Sequence, residues 1–199
     1  MKKVLIFILI LLLLAGGSYF AWQRDRLYRE LNACFESEAT RVALCVSVGE
    51  GDDALTGEYT LDRSGNSEVL EYRYEQLCAF EMKNGQYVAP ATRKETVEGS
   101  ARISGGKLIL LEGRQVNIPL DDLTLSRVQF VRSHFADVVS EEGLFEASVA
   151  DPAGFAGVEE ACEEMRVSMC YSEGRVDELV LSYRNGDGAP VVMTYRFTY

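Results

Sequence analysis

The chain predicts an α+β fold that is mainly antiparallel β. An N-terminal transmembrane helix leads into a curved, half-barrel-like antiparallel sheet with one or two packed helices. Three observations predict it. Residues 4–22 form a charge-free, largely apolar run, and apolar residues then recur at every second position over long stretches. Short Gly- and Asn-containing segments separate those stretches.

The first element is the apolar run. Val4, Leu5, Ile6 and Phe7 begin an unbroken apolar stretch that continues to Leu14, and no charge appears before Gln23. Nineteen residues at ~1.5 Å rise span ~28 Å, close to the ~30 Å of a bilayer's hydrocarbon core. Tyr19 and Trp22 sit where interfacial aromatics belong. Two readings follow: a retained signal-anchor, or a cleaved secretory signal with Ala15-Gly16-Gly17 as small residues for the peptidase. No cysteine follows the run to suggest a lipid-modified start. Lys2 and Lys3 ahead of it place the N-terminus in the cytoplasm and the rest of the chain outside it, at the cell membrane. The division is therefore residues 1–26 as anchor or signal peptide and residues 27–199 as one extracytoplasmic domain.

The remaining 173 or so residues suit a single core, and 47% hydrophobic with 26% charged residues is ordinary globular composition. The charge is unevenly placed. Setting aside Lys2, Lys3, Arg24, Arg26 and Asp25 from 20 basic and 31 acidic residues leaves 16 and 30, a net −14 from residue 27 onward. Such a domain repels phosphate backbones, which argues against nucleic acid as a partner, and it is expected to avoid anionic lipid headgroups as well.

Leu27, Leu31 and Cys34/Phe35 recur at helical spacing, predicting a stalk helix over 27–36 that packs on the domain. The period then changes to two. Val42, Leu44, Val46 and Val48 share a face, as do Tyr59 with Leu61, and Leu70 with Tyr72 and Tyr74. Arg63–Asn66 turns the chain between the latter two strands. Ser104-Gly-Gly-Lys107 joins Ala101–Ile103 to Leu108–Leu111, its glycines supplying the positive φ of a tight hairpin. Over 123–140, Leu125, Val128, Val131, Phe135 and Val138/Val139 follow helical spacing. Asp121 or Asp122 would cap that helix and Gly143 end it. Pro152 with Gly154 and Gly157 marks an irregular connection, and Glu159–Met165 is expected to hold a helical turn. The tail is a meander of three strands. Val167, Met169 and Tyr171 share one face, as do Leu179, Leu181 and Tyr183, and then Val191, Met193, Tyr195 and Phe197. Turns fall at Ser172–Arg175 and Arg184–Gly188.

This order of elements, with the closing strands Arg166–Tyr199, resembles the LolA/LolB half-barrels that carry lipoproteins between membranes. The resemblance covers residues 27–199. It implies a concave apolar face able to take an acyl chain, and it assigns no individual site residue.

The chemistry-bearing residues point away from catalysis. His134 is the only histidine; within the expected helix Ser133 points about 100° away from it, and no G-x-S-x-G elbow accompanies it. Cys34, Cys45, Cys78, Cys162 and Cys170 contain no C-x-x-C, and Cys162 with Cys170 is the pairing expected if a disulfide forms. Acidic pairs such as Asp121-Asp122 and Glu163-Glu164 lie in turns, without calcium-loop spacing. Of ten tyrosines, Tyr72, Tyr74, Tyr183 and Tyr195 fall on strand faces. There they either line a ligand groove or fill the core. No metal, cofactor or catalytic residue is expected. The expected function is a non-enzymatic, membrane-anchored binding or interaction module for a lipidic or apolar ligand or an envelope protein. A structural component of an envelope complex, or a secreted protein with a cleaved signal, are the alternatives.

Overall fold

Ten strands form one sheet in which every neighbouring pair is antiparallel. The computed structural model describes residues 25–35, 38–77, 81–84, 86–88, 93–114, 120–158 and 162–199. The anchor residues Val4, Leu5, Ile6, Phe7, Leu14, Tyr19 and Trp22 lie outside the described residues. Among the described residues no helix is long and apolar enough to cross a membrane.

Helix α1 spans Arg26–Phe35 and is followed by β1 (Arg41–Val48), β2 (Leu55–Asp62) and β3 (Glu68–Leu77). A short hairpin, β4 (Glu81–Lys83) with β5 (Gln86–Val88), precedes β6 (Lys94–Ser104) and β7 (Lys107–Gly113). The second half holds α2 (Leu120–Thr124), β8 (Phe135–Glu141), β9 (Leu144–Val149), α3 (Pro152–Ala156), β10 (Glu163–Ser172), β11 (Arg175–Arg184) and β12 (Pro190–Thr198). The sheet order is β7-β6-β3-β2-β1-β12-β11-β10-β9-β8. The first and last strands therefore pair at its centre, Arg41 opposite Thr198 and Leu44 opposite Tyr195. Strands β7 and β8 are the two edges.

Alternation decides which face is buried. One row of directly opposed residues runs Gly113, Gly99, Tyr72, Tyr59, Leu44, Tyr195, Leu179, Met169, Phe145. Every member from Tyr72 to Phe145 is buried, because opposed residues of an antiparallel pair share a face. The opposite face carries Glu58, Arg73 and Glu98 in register. Glycines make room where the tyrosines lean over a neighbour. A Cβ at Gly99 would collide with the Tyr72 hydroxyl and the Glu112 carbonyl, and Tyr72 reaches across it to donate to the Arg114 carbonyl. The turns match their residues too: Gly105 and Gly106 both take positive φ, +58° and +72°, between β6 and β7.

Helix α1 lies on the buried face against β11, as its spacing of apolar residues predicts. Tyr28, Leu31 and Cys34 are buried, Leu27 and Phe35 half-buried, and burying a side chain of that size contributes about 1.5–3 kcal/mol.

Two expected helices are corrected. The stretch 123–140 is not one helix: α2 ends at Thr124, Leu125 takes φ +53°, and a 3₁₀ turn at Arg132–His134 leads into β8. The reason lies in the residue types. Val128, Val131, Val138 and Val139 are β-branched and favour extended backbone, while the residue that anchors the stretch, Phe130, falls off the expected stripe and is 1% exposed. Gly143 accordingly sits in the β8–β9 turn. Of the turn expected over Glu159–Met165, residues 159–161 lie outside the described residues, and from Glu163 the chain is β10. A helical turn precedes it at α3, with Pro152 in its first turn and Asp151 as its cap.

Candidate functional site

Asn32 stands on the packed side of α1, one turn after Tyr28. Its amide spans 98 residues of sequence to hold one peptide segment from both sides: Nδ2 donates to the Phe130 carbonyl at 2.8 Å, and the Phe130 N–H donates to Oδ1 at 2.9 Å. That clamp sets the extended stretch 125–131 against the start of the helix. Below it lies an aromatic cluster. Phe130 meets Phe145 and Phe155 edge-on at 5.5 and 5.3 Å, and Phe135 meets Phe155 at 4.9 Å. Tyr28 stacks on Phe135 at 5.9 Å and Phe35 closes on Phe130 at 5.5 Å. Such pairs add about 0.5–1.5 kcal/mol each beyond their burial.

Between the two pinned segments runs a groove of about 570 Å³, lined by Asp25, Tyr28, Arg29, Asn32, Phe130, Val131, Arg132 and Ser133. Its lining combines the buried rings of Tyr28 and Phe130 and the 43%-exposed Val131 with the charged Asp25, Arg29 and Arg132. Burial, and secondarily the Asp25 charge, push the Tyr28 phenol up, so the ring stays neutral. An apolar lining that includes two arginines suits a molecule with an apolar body and an acidic head.

No protein-family profile and no curated protein matches the chain. Among solved structures it is similar to an N-terminal dehydratase from a difficidin assembly line. That match has 12% identity, covers 89% of this chain and 84% of that one, and has a TM-score of 0.16. A superposition so loose carries no argument.

The residues singled out from sequence fall elsewhere. Tyr72, Tyr74 and Tyr195 are 4%, 5% and 1% exposed and belong to the core, and Tyr183 is half-buried against it. Tyr72 and Tyr74 stack at 6.2 Å. Tyr195 donates to the Asp122 carbonyl at 2.9 Å, and its phenol is pushed far up by desolvation. The space beside Tyr195 and Tyr183 is only about 40 Å³, room for about one water. The expected Cys162–Cys170 disulfide is corrected as well. Both thiols are free, and they lie at opposite ends of β10, with Cys162 just before its first residue. Seven residues of β10 lie between them, and even with the irregularity at Glu164 a strand of that length holds them roughly 20 Å apart, against the ~7 Å limit between bridged Cα atoms.

His134 occupies the 3₁₀ turn instead of a helix. Its Nδ1 lies 3.2 Å from the Gln129 carbonyl, which places the proton there, and Nε2 faces Asp151 at 4.0 Å. Asp151 also accepts from the Gly154 N–H at 2.9 Å. The His134 backbone carbonyl, which accepts from the Ala150 and Asp151 N–H groups at 2.7 and 3.3 Å, ties the 125–134 stretch to the start of α3. Among the described residues no group of three His, Cys, Asp or Glu is placed to hold a metal ion.

A second, wider depression of about 680 Å³ lies on the solvent face of β2, β3, β6 and β7. There Glu58 and Glu98 flank Arg73, and Glu71 and Glu112 flank Ser100. Sequence reasoning missed the groove beside α1. The one signal for it was a polar Asn32 among the apolar positions Tyr28, Leu31 and Phe35.

Proposed function

We propose that this chain is a non-enzymatic binding module, tethered to the cell membrane by its apolar run and displayed outside the cytoplasm, whose groove beside α1 takes an amphipathic acid such as an anionic lipid. The observation that carries this reading is the groove's make-up: Arg29 and Arg132 stand in one lining with Tyr28 and Phe130, a basic spot on a domain whose net charge otherwise repels anionic headgroups. The groove is also built from the first residues of α1, within ten residues of Trp22. A bilayer around residues 4–22 would therefore lie close to it. The half-barrel resemblance to lipoprotein carriers would instead put an acyl chain on the sheet's inner face. With Tyr59, Tyr72, Tyr74 and Tyr195 buried there, the outer groove is the better seat.

The test is a calorimetric titration of the full chain in neutral-detergent micelles with a short-chain phosphatidic acid and with its zwitterionic phosphatidylcholine counterpart. Saturable binding of the acid, weakened about tenfold or more by Arg132→Glu, is expected, since a charge-assisted contact to a phosphate contributes about 1.5–3 kcal/mol. Absence of saturable binding, or binding that Arg132→Glu leaves unchanged, removes the proposal. The intact mass of the mature protein separates a retained anchor from a cleaved signal. A structural role in an envelope complex is favoured by a different feature, the aliphatic edges of the sheet.

A further inference from the structure

Both edges of the sheet expose aliphatic side chains. On β7, Ile109, Leu110 and Leu111 are 45%, 48% and 53% exposed; on β8, Val138 and Val139 are 38% and 49% exposed. An edge strand of this kind is a template for another strand, and the chain's own two edges fit one another. The ten strands alternate in direction, so β7 and β8, nine steps apart, run antiparallel. A β8 from a second copy laid beside β7 with the same face outward continues the alternation.

Facing selects the register. Ile109 stands opposite Arg102 and Val139 opposite Glu146, both on the solvent face. Leu108 stands opposite Ile103 and Ser140 opposite Phe145, on the buried face. Setting Ile109 against Val139 and Leu108 against Ser140 keeps each pair on one side and brings Lys107 against Glu141. Regularity selects the same three pairs. The irregularity in β7 falls beyond Leu110, opposite Ser100/Ala101, and that in β8 falls before Val139, between Ala136 and Val139. Charge agrees at the paired end: β8 and its turn carry Asp137, Glu141 and Glu142, and no Lys or Arg occurs between Arg132 and Arg166, whereas β7 begins with Lys107 and its Glu112 lies outside the three pairs.

We infer that β7 docks β8 of a second copy of this chain, with Lys107 opposite Glu141. The contact is independent of the groove beside α1. Three residue pairs make a weak joint, which a shared membrane would strengthen by raising the effective concentration of the two copies.

Full-length protein in vesicles of neutral lipid, mixed from isotopically light and heavy preparations, tests this by zero-length carbodiimide cross-linking. A mixed-label peptide joining Lys107 to Glu141 is expected. In parallel, self-association measured by energy transfer between labelled copies should fall about fivefold for Lys107→Glu, which sets like charges opposite. It should return in the double variant Lys107→Glu with Glu141→Lys. Both sites are exposed on edge strands, and the circular dichroism and melting temperature of each variant, matched to the wild type, confirm that the fold is kept. A cross-link found only within one label, no self-association in the wild type, or a double variant that fails to recover would each overturn the inference.

Discussion

Asp122 carries opposed duties at one position. Its backbone carbonyl accepts the Tyr195 hydroxyl, while its carboxyl is drawn into partial burial in the first turn of α2. Desolvation raises the carboxyl pKa, the Asp121 charge adds to that, and the Arg127 charge opposes it. A carboxyl raised in the folded state binds its proton more tightly there than in the unfolded chain. The resulting stability is fully present below the ordinary aspartate range, ~3.9, and is lost as pH rises through the folded value. Asp122→Asn keeps the backbone acceptor and removes the titration. The variant should therefore gain on the wild type as pH rises from about 4 toward 7, and show no such gain below it, in melting temperatures measured across that range. A gain independent of pH would assign the effect to packing instead.

At the scale of elements, the 125–134 stretch depends on the side chain of a helix far away in sequence. Asn32→Ala would leave the Phe130 N–H and carbonyl without their partners, at a cost of about 1–3 kcal/mol. Urea denaturation should show that loss. Hydrogen exchange should speed up over residues 129–135 while β1–β3 keep their protection. The same dependence explains what could be read from sequence. Strands with one buried face, such as Val42–Val48 and Leu179–Tyr183, announce themselves by alternation, and the hairpins by Gly-Gly, Glu-Gly and Asn-Gly. The stretch after α2 has three-and-four spacing without a helix because its apolar residues pack on three different partners. Leu125 sits in the core, Phe130 on the aromatic cluster, and Val138 and Val139 face solvent. A groove formed by contacts 98 residues apart leaves no local pattern beyond one misplaced asparagine.

For the whole molecule, the sheet sorts the cysteines. Cys45 and Cys170 are exposed, Cys34 is buried on the packed side of α1, and Cys162 is half-buried. Burial, and then the Glu30 charge, push the Cys34 thiol up, and burial does the same for Cys162, so both hold less thiolate at neutral pH. Alkylation of the native protein followed by peptide mass mapping should label Cys45 and Cys170 first, Cys162 more slowly and Cys34 only on unfolding. Recovery of a linked 162–170 peptide without reductant would contradict the strand separation of the two thiols. The pairing of β1 with β12 carries a last consequence, for the order of folding. Each half of the sheet is a run of hairpins that can form from neighbouring residues, but the seam joining them closes a loop from Arg41 to Thr198, the costliest closure in the molecule. During synthesis the amino-terminal strands must wait with β1 bare until β12 arrives. That interval is when the nascent chain is most open to aggregation or to a chaperone.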